Sequence, residues 1–315
     1  MHKDSNNPAV YAGYLIKFEL DRSRILPEYA FRYTQSPQYH AWVANAQRAV
    51  AQPNINAKQY AALQIPLPPL DEQRRIAAIL DHADAIRGKR RQVIARLDEL
   101  VQATFLDMFG DPFSNPMGWP LQTLGSIALK FSDGPFGSNL KSSHYVPDGI
   151  RVVRLQNIGV GEFIDADRAF ISPEHFAQLT RHECRPGDVL VGTLGDPNLR
   201  ACVQPDWLDV ALNKADCVQV RVDPSHATPK FVSALFNATG TLRRANALVL
   251  GQTRSRISMG RLRDLKVPVP PISLQLDFDE HIRHVAQTTA TAKRAAEFET
   301  ALFASLQSRA FSGQL

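Results

Sequence analysis

Apolar and small residues recur in alternating steps of three and four along two stretches of the chain. In the first stretch, 71–109, the series is Ile76, Ile79, Ala83, Ile86, Val93, Leu97, Leu100 and Thr104. In the second, 271–315, it is Phe278, Ile282, Val285, Thr289, Ala292, Ala296, Phe303, Leu306 and Ala310. This spacing is typical of a coiled-coil seam. The sequence therefore predicts two long helices that pack on each other antiparallel, with a globular domain at each end.

The signals that begin and end the first helix are both clear. Pro68 and Pro69 hold the preceding chain extended, and Asp71 is a good N-cap residue. The run Gly-Asp-Pro at 110–112 ends the helix. At a rise of about 1.5 Å per residue, some 38 residues form a rod of roughly 57 Å, which suits a spacer. Arg90 falls on the seam, so it requires a partner carboxylate or a path to solvent.

A second pattern relates the two halves of the chain. Residues 65–70 (IPLPPL) and 267–272 (VPVPPI) match at an offset of 202 residues. The same offset pairs Pro27 with Pro229, Tyr29 with Phe231, Ile55 with Ile257, Gln73 with Gln275 and Phe109 with Phe311. The shared offset favours an internal repeat over two unrelated helices exposed to solvent.

The segments outside the helices predict an α+β fold with two unequal domains. Residues 1–70 begin with a strand at 11–20, and we expect them to form a partial domain with little core of its own. Residues 110–270 form a complete mixed α/β domain. Its predicted elements are strands at 150–156, 188–192 and 217–222 and a helix from 230 to about 247.

Composition limits the function only loosely. Of the 315 residues 44% are hydrophobic, and no run of about 18 apolar residues or apolar signal core occurs, so we expect a cytoplasmic protein with no membrane partner. The formal net charge of +5 permits a polyanionic partner without requiring one. Cys184, Cys202 and Cys217 form no CxxC or CxxH pair, which favours buried free thiols over a metal site.

Several segments together resemble one known family. They are 67–76 (LPPLDEQRRI), 153–158 (VRLQNI), 186–190 (PGDVL), 252–258 (QTRSRIS) and 309–313 (RAFSG). In this order they resemble the specificity (S, HsdS-type) subunit of type I restriction–modification systems over nearly the whole chain. The resemblance implies two target recognition domains, each reading half of a split DNA site. Two conserved helices separate these domains and set their spacing.

The resemblance also implies partners. The chain is expected to be a non-catalytic subunit that binds double-stranded DNA and docks methyltransferase (modification) subunits, while a restriction subunit joins to cut DNA. S-adenosylmethionine, ATP and magnesium would be bound by those partners, and no cofactor by this chain. At the offset of 202, the first recognition domain would start about a hundred residues before Met1, so we expect residues 1–70 to be truncated. A half-length subunit of this kind could pair with a second copy of itself.

Candidate DNA-binding residues lie on loops of the second recognition domain, 110–270. DNA reading needs cations for phosphates and flat polar side chains for base edges. The candidates are Ser132, Gly134, Phe136, Ser138, Lys141, Arg154, Gln156, Asn157, Thr193, Gln252, Thr253, Arg254, Ser255 and Arg256.

Structural roles compete with DNA binding for some of these candidates. Phe136 is more readily explained as a buried anchor of its loop than as a contact to a thymine methyl group. Gln156 and Asn157 are equally compatible with hydrogen bonds to the adjacent loop, and Arg256 with capping of the next helix.

Other classes of function remain open. One is an adaptor that binds the modification subunit or another S chain without DNA. Another is an autonomous nuclease, for which Asp264, Lys266 and the distant Asp206 give a short metal-site pattern that chance explains better. A methyltransferase is disfavoured because residues 115–117 (NPM) do not match an Asn-Pro-Pro-aromatic motif. No phosphate-binding Gly-x4-Gly-Lys motif occurs, which disfavours ATP binding.

Overall fold

The computed structural model describes residues 15–48, 54–195, 198–246 and 257–315. Within them the helices are α1 (Pro27–Tyr33), α2 (Pro37–Arg48), α3 (Ala57–Ala61), α4 (Leu70–Phe109), α5 (Pro173–Ala177), α6 (Pro229–Asn237), α7 (Thr239–Asn246), α8 (Met259–Arg263) and α9 (Ile272–Phe311). The strands are β1 (Leu121–Thr123), β2 (Ala128–Asp133), β3 (Tyr145–Val146), β4 (Ile150–Val153), β5 (Phe170–Ile171), β6 (Glu183–Cys184), β7 (Val189–Gly192), β8 (Ala201–Val203), β9 (Ala211–Asn213), β10 (Cys217–Val222) and β11 (Lys266–Pro268).

The chain divides into two compact units, and both long helices contribute to each of them. Met1–Arg96 and Thr289–Leu315 form one unit, which we call the terminal unit. Leu97–Thr288 form the other, which we call the central unit. The mixed α+β composition agrees with the predicted fold class.

The long helices α4 and α9 form close to where the hydrophobic pattern predicts them. The Gln73 N–H donates to the Pro69 carbonyl (3.0 Å), so α4 begins before Asp71, which lies in the first turn and not at the N-cap. An acidic residue is still favourable there, at the positive end of the helix dipole. Gly110 follows α4 with a φ of 77° and donates its N–H to the Leu106 carbonyl (2.9 Å). Glycine therefore ends the helix, as predicted.

In the terminal unit, α4 and α9 run antiparallel. The Arg87 guanidinium lies 4.3 Å from the centre of the Phe303 ring, and Arg90 forms an ion pair with Glu299 at 3.0 Å. Residue numbers thus rise along α4 as they fall along α9. Glu299 is the carboxylate that the seam position of Arg90 requires.

The seam of α9 contains the predicted residues, whereas the seam of α4 differs at every second position. In the terminal unit the inward positions of α4 are Ile76, Leu80, Ala83, Arg87 and Arg90. The predicted Ile86 and Val93 are 40% and 45% exposed, so the series Ile79, Ile86, Val93 and Leu100 was wrong by one residue. The reason is that the stems of arginines pack in the seam while their charged ends reach a carboxylate or solvent.

The core of the terminal unit lies where α1 packs against α4 and α9. It contains Ile25, Tyr29, Tyr33, Ile76, Leu80, Phe303, Ala310 and Phe311. The Tyr29 and Tyr33 rings lie 5.4 and 5.3 Å from the Phe311 ring. Of the strand predicted at 11–20, residues 11–14 lie outside the described residues, and 15–20 form neither helix nor strand.

The central unit is built on three sheets within its described residues. One has the order β2-β10-β7-β8, with all neighbours antiparallel. The second has the order β3-β5-β4-β9-β6, with β4 and β9 parallel, and the third pairs β1 with β11. The predicted strand 217–222 is confirmed as β10, while the strand predicted at 150–156 ends at Val153. The helix predicted from 230 to 247 is two helices, because Ala238 has the extended backbone angles φ −70° and ψ 134°.

A buried glutamine joins α4 to the chain before it. The Oε1 atom of Gln73 accepts the Leu26 N–H (2.9 Å), and its Nε2 atom donates to the carbonyls of Arg24 (2.8 Å) and Pro68 (2.8 Å). Gln73 is fully buried, so these bonds satisfy an amide that solvent cannot reach.

The same set of bonds occurs in the central unit, 202 residues later. The Oε1 atom of Gln275 accepts the Thr228 N–H (3.0 Å), and its Nε2 atom donates to the carbonyls of His226 (3.2 Å) and Pro270 (2.8 Å). Gln275 is also fully buried. Both units therefore attach a long helix to the segment before it in the same way.

Candidate nucleic-acid interface

The predicted loops are positioned by one edge of the four-stranded sheet. Because β10 runs antiparallel to β2 and β7, its first residue lies beside the last residues of both. The turn at 214–216 leads into β10 and lies at this edge. The loops that follow β2 and β7 therefore start next to this turn.

Three of the predicted loops contact the turn directly. A Cβ atom on Gly134 would lie 2.0 Å from the Lys214 carbonyl carbon, so only glycine fits there. The Lys214 N–H donates to the Val153 carbonyl (3.0 Å), immediately before the predicted Arg154. Thr193 donates its N–H (2.9 Å) and its hydroxyl (3.0 Å) to the Asp216 carbonyl. We refer to these loops and the 214–216 turn as the loop edge.

A fourth candidate group lies beyond what the structure describes. Gln252, Thr253, Arg254, Ser255 and Arg256 fall outside the described residues. The next residue, Ile257, is buried and donates its N–H to the Thr193 carbonyl (3.5 Å). The chain that follows these candidates thus joins the loop edge.

The loop after β2 presents most of its candidates to solvent. Ser132 is in β2 itself and donates its hydroxyl to Gln219 Oε1 (2.8 Å). Ser138 and Lys141 are exposed. Phe136 is 43% exposed, so it is not the buried anchor that we expected. An exposed aromatic ring and a lysine on one short loop are compatible with contact to a nucleic acid.

The loop after β4 is held by a carboxylate. Arg154 forms an ion pair with Asp167, and the Gln156 amide donates to the same carboxylate. Asn157 is fully buried, and its Nδ2 atom donates to the carbonyls of Ile164 (2.9 Å) and Asp167 (2.8 Å). Asn157 therefore holds the loop in shape. Arg154 and Gln156 are therefore both engaged by the Asp167 carboxylate.

The residue that joins two of these loops was not among the predicted candidates. Arg200 donates from Nε to the Ile158 carbonyl (2.7 Å) and from Nη2 to the Leu155 carbonyl (3.0 Å). Its Nη1 atom lies 3.5 Å from the Leu194 carbonyl in the loop after β7. Lys214 was also missed; its Nζ atom lies 5.7 Å from the Tyr145 ring, at the centre of the loop edge. Neither residue belongs to a recognisable motif.

A buried histidine supports the end of β2. His182 Nδ1 lies 2.6 Å from the Asp133 carbonyl, and Arg181 Nε donates to His182 Nε2 at 2.8 Å. One ring nitrogen must donate and the other must accept, which fits the neutral imidazole. Burial lowers the pKa of His182 below its ordinary value of 6.5, and the Asp133 carbonyl only partly offsets this.

Acidification is expected to destabilise the central unit through His182. Since the folded-state pKa is below the unfolded-state value of 6.5, the contribution of His182 is complete above pH 6.5. It is lost as the pH falls from there through the folded-state pKa. Urea unfolding should give a lower free energy of unfolding at pH 5.5 than at pH 8. This decrease should be smaller in His182→Asn than in the wild type. An equal loss in both proteins would mean that other groups cause it.

The cysteines and metal-binding residue types do not form a second site in the described part of the chain. Cys184, Cys202 and Cys217 are buried free thiols, as expected, and burial raises the pKa of Cys202 to about 12. Among described residues, no group of three or more His, Cys, Asp or Glu could hold a metal ion. No described helix is long and apolar enough to cross a membrane.

Comparison with known proteins connects this architecture to one class. Residues 2–96 match the family model described as "Type I restriction modification DNA specificity domain". The chain is 19% identical over 249 residues to the type I restriction enzyme MjaVIII specificity subunit of Methanocaldococcus jannaschii, an alignment that covers 74% of this chain and 57% of that protein. The chain thus spans little more than half the length of this relative.

Two solved structures share the fold. One is a structure described under "Structural basis underlying complex assembly and conformational transition of the type I R-M system". It has a TM-score of 0.62 and 20% identity, over 94% of this chain and 73% of that one. The other is the type I S subunit from M. genitalium, with a TM-score of 0.53 and 16% identity, over 93% and 74%. The fold is that of type I specificity subunits. Together, these likenesses support the prediction of an HsdS-type specificity subunit.

Proposed function

We propose that this chain is a non-catalytic DNA-recognition subunit of a cytoplasmic type I restriction–modification complex. The segment 110–270 is the recognition domain that reads one half-site, and residues 1–70 are part of a first recognition domain. The helices at 71–109 and 271–315 set the spacing and dock methyltransferase subunits, which a restriction subunit joins.

The observation that carries this proposal is the loop edge. The loops after β2, β4 and β7 come from distant parts of the sequence, yet all contact the 214–216 turn. Lys141 and Phe136 are exposed on one of them. Binding residues are concentrated in loops that a rigid sheet positions. Cationic side chains in such loops can bind the phosphates of a nucleic acid. The family match supports DNA as the ligand.

One observation favours a second candidate, an adaptor that binds protein partners without DNA. Asp167 occupies both Arg154 and Gln156, two of the groups expected to read bases or phosphates. A carboxylate at the same place also repels phosphate. If these contacts persist, the loop after β4 contributes little to DNA affinity.

Fluorescence anisotropy with a pool of double-stranded oligonucleotides separates the two candidates. A DNA reader is expected to lose affinity steeply as salt rises and to enrich a sequence preference on repeated selection. Lys141→Gln should weaken binding to all sequences and lower the slope of log affinity against log salt by about 1. Lys58→Gln, in the terminal unit, is the matched control. If no DNA binding is detected even at low salt, the adaptor function is the one that is supported.

A further inference from the structure

Lys214 occupies the point at which the three loops of the loop edge meet. Its N–H donates to the Val153 carbonyl (3.0 Å), and its own carbonyl accepts the Cys217 N–H (3.1 Å). A side chain on Gly134 would clash with that carbonyl group, so the loop after β2 also packs against it. The backbone of Lys214 is therefore fixed by its neighbours, and only its side chain can adjust to a ligand.

The ammonium group of Lys214 has no carboxylate partner in the part of the chain that the structure describes. Its Nζ atom lies 5.7 Å from the centre of the Tyr145 ring, which is a cation–π contact. Two other cations at the loop edge are already engaged. Arg154 forms an ion pair with Asp167, and Arg200 donates to main-chain carbonyls. Lys214 thus keeps its N–H donors for an acceptor outside the described residues.

Partial burial makes this ammonium group a stronger site for an anion than an exposed lysine. Lys214 is half-buried, whereas Lys141, which is also at the loop edge, is exposed. Interactions between partly buried charges are screened by salt less than those at the surface. Burying a cation without a partner costs free energy, and an anionic ligand offsets that cost.

We propose that Lys214 binds a phosphate group of the DNA backbone and thereby fixes the register of all three loops on the duplex. This role rests on the proposed function of the chain, because it requires DNA as the ligand. The loops begin at the 214–216 turn, and the loop after β2 continues past it to the exposed residues Phe136 and Lys141. When the loop tips enter a groove, the backbone that borders the groove lies nearer the turn.

The chemistry of lysine suits a phosphate at this position. Lysine binds phosphate as a compact point charge on a flexible stem, so the contact does not require one fixed direction of approach. Phosphate contacts fix the position and orientation of a protein on DNA but carry no sequence information directly. Lys214 therefore supports the base contacts of all three loops without selecting a base itself.

Removing the charge of Lys214 tests this role. Lys214→Met in the full chain should bind every sequence roughly three- to tenfold more weakly near 0.1 M salt, and the slope of log affinity against log salt should fall by about 1. The ratio of the affinities for a preferred and an unrelated oligonucleotide should not change. Lys214→Gln should behave in the same way, whereas Lys214→Arg retains the charge and should retain the wild-type slope.

Uncharged methylphosphonate groups locate the contact on the DNA. One phosphate of the preferred oligonucleotide is replaced at a time, and the affinities of the wild type and of Lys214→Met are compared by fluorescence anisotropy. At the phosphate that Lys214 binds, the replacement should weaken binding by the wild type but not by Lys214→Met, which has no charge there to lose. At every other contacted phosphate, both proteins should lose affinity equally.

The controls separate this role from the proposed function. Lys58→Gln changes the charge at an exposed site of the terminal unit and should leave both affinity and slope unchanged. A wild type that binds no DNA at low salt would refute both the proposed function and the role of Lys214. If the wild type binds DNA but the Lys214→Met slope and phosphate map are unchanged, only the role of Lys214 is refuted. Lower stability in urea with an unchanged slope would mean that Lys214 only holds the turn beside Tyr145.

Discussion

Replacing Phe231 with alanine is expected to lower the free energy of unfolding of the central unit by about 3–5 kcal/mol. The ring is 1% exposed, and its centre lies 5.0 Å from that of Phe109 and 5.8 Å from that of Phe105. These rings fasten α6 to α4, so removing one leaves a cavity that rigid helices cannot close. The loss should be among the largest that any single truncation causes.

Urea unfolding followed by the fluorescence of Trp119 and Trp207 measures this loss. Phe231→Leu keeps most of the volume and should cost clearly less. Phe298→Ala is the matched control, because that ring is 76% exposed and its truncation should leave stability nearly unchanged. A loss below about 1 kcal/mol in Phe231→Ala would mean that the aromatic cluster adapts around the gap.

The offset of 202 residues found in the sequence also relates the rings of the Phe231 cluster to rings of the terminal unit. The offset of 202 relates Phe231 to Tyr29 and Phe109 to Phe311, and the structure packs Phe231 on Phe109 and Tyr29 on Phe311. Large buried rings next to long helices leave a strong pattern in the sequence, because few other residues fill the same space.

The errors in the predicted helix seam arose where a polar residue occupies a position that usually holds an apolar one. In α4, Arg87 holds a seam position by packing on the Phe303 ring of α9, which a search for apolar residues cannot find. The two-residue strands β3 and β5 carry too little pattern to be recognised. They form because neighbours distant in sequence supply their hydrogen bonds.

The candidate interface could be predicted as a list of loops but not as a surface. The resemblance to the family indicates which loops contain candidate DNA-binding residues. That these loops meet at the 214–216 turn depends on the order of the strands in the sheet, which the sequence pattern does not reveal. Asp167 and Arg200 act through contacts with main-chain and side-chain groups far along the chain. No local spacing rule connects such residues to their partners.

Replacing Asp188 with alanine is expected to cost about 3–5 kcal/mol of stability in the central unit. Asp188 is 2% exposed and accepts hydrogen bonds from Arg221 Nε (2.8 Å) and Nη2 (2.9 Å), from Gln219 Nε2 (2.8 Å) and from the Arg185 N–H (2.8 Å). Its removal leaves a guanidinium and a buried amide without their acceptor. The unpaired groups, rather than lost attraction alone, make the cost large.

Double substitution separates these causes. In Asp188→Ala the Arg221 guanidinium is left without its carboxylate. The double variant Asp188→Ala with Arg221→Met also removes that charge, so it should recover part of the lost stability. If Asp188→Ala and the double variant are equally unstable, the hydrogen bonds to Gln219 and Arg185 carry the effect. Asp188 precedes β7, at the end of the sheet opposite the loop edge. DNA affinity of the folded Asp188→Ala protein, measured at low temperature, should therefore remain close to that of the wild type, and a selective loss of DNA binding would mean that the loop edge is not the reading surface.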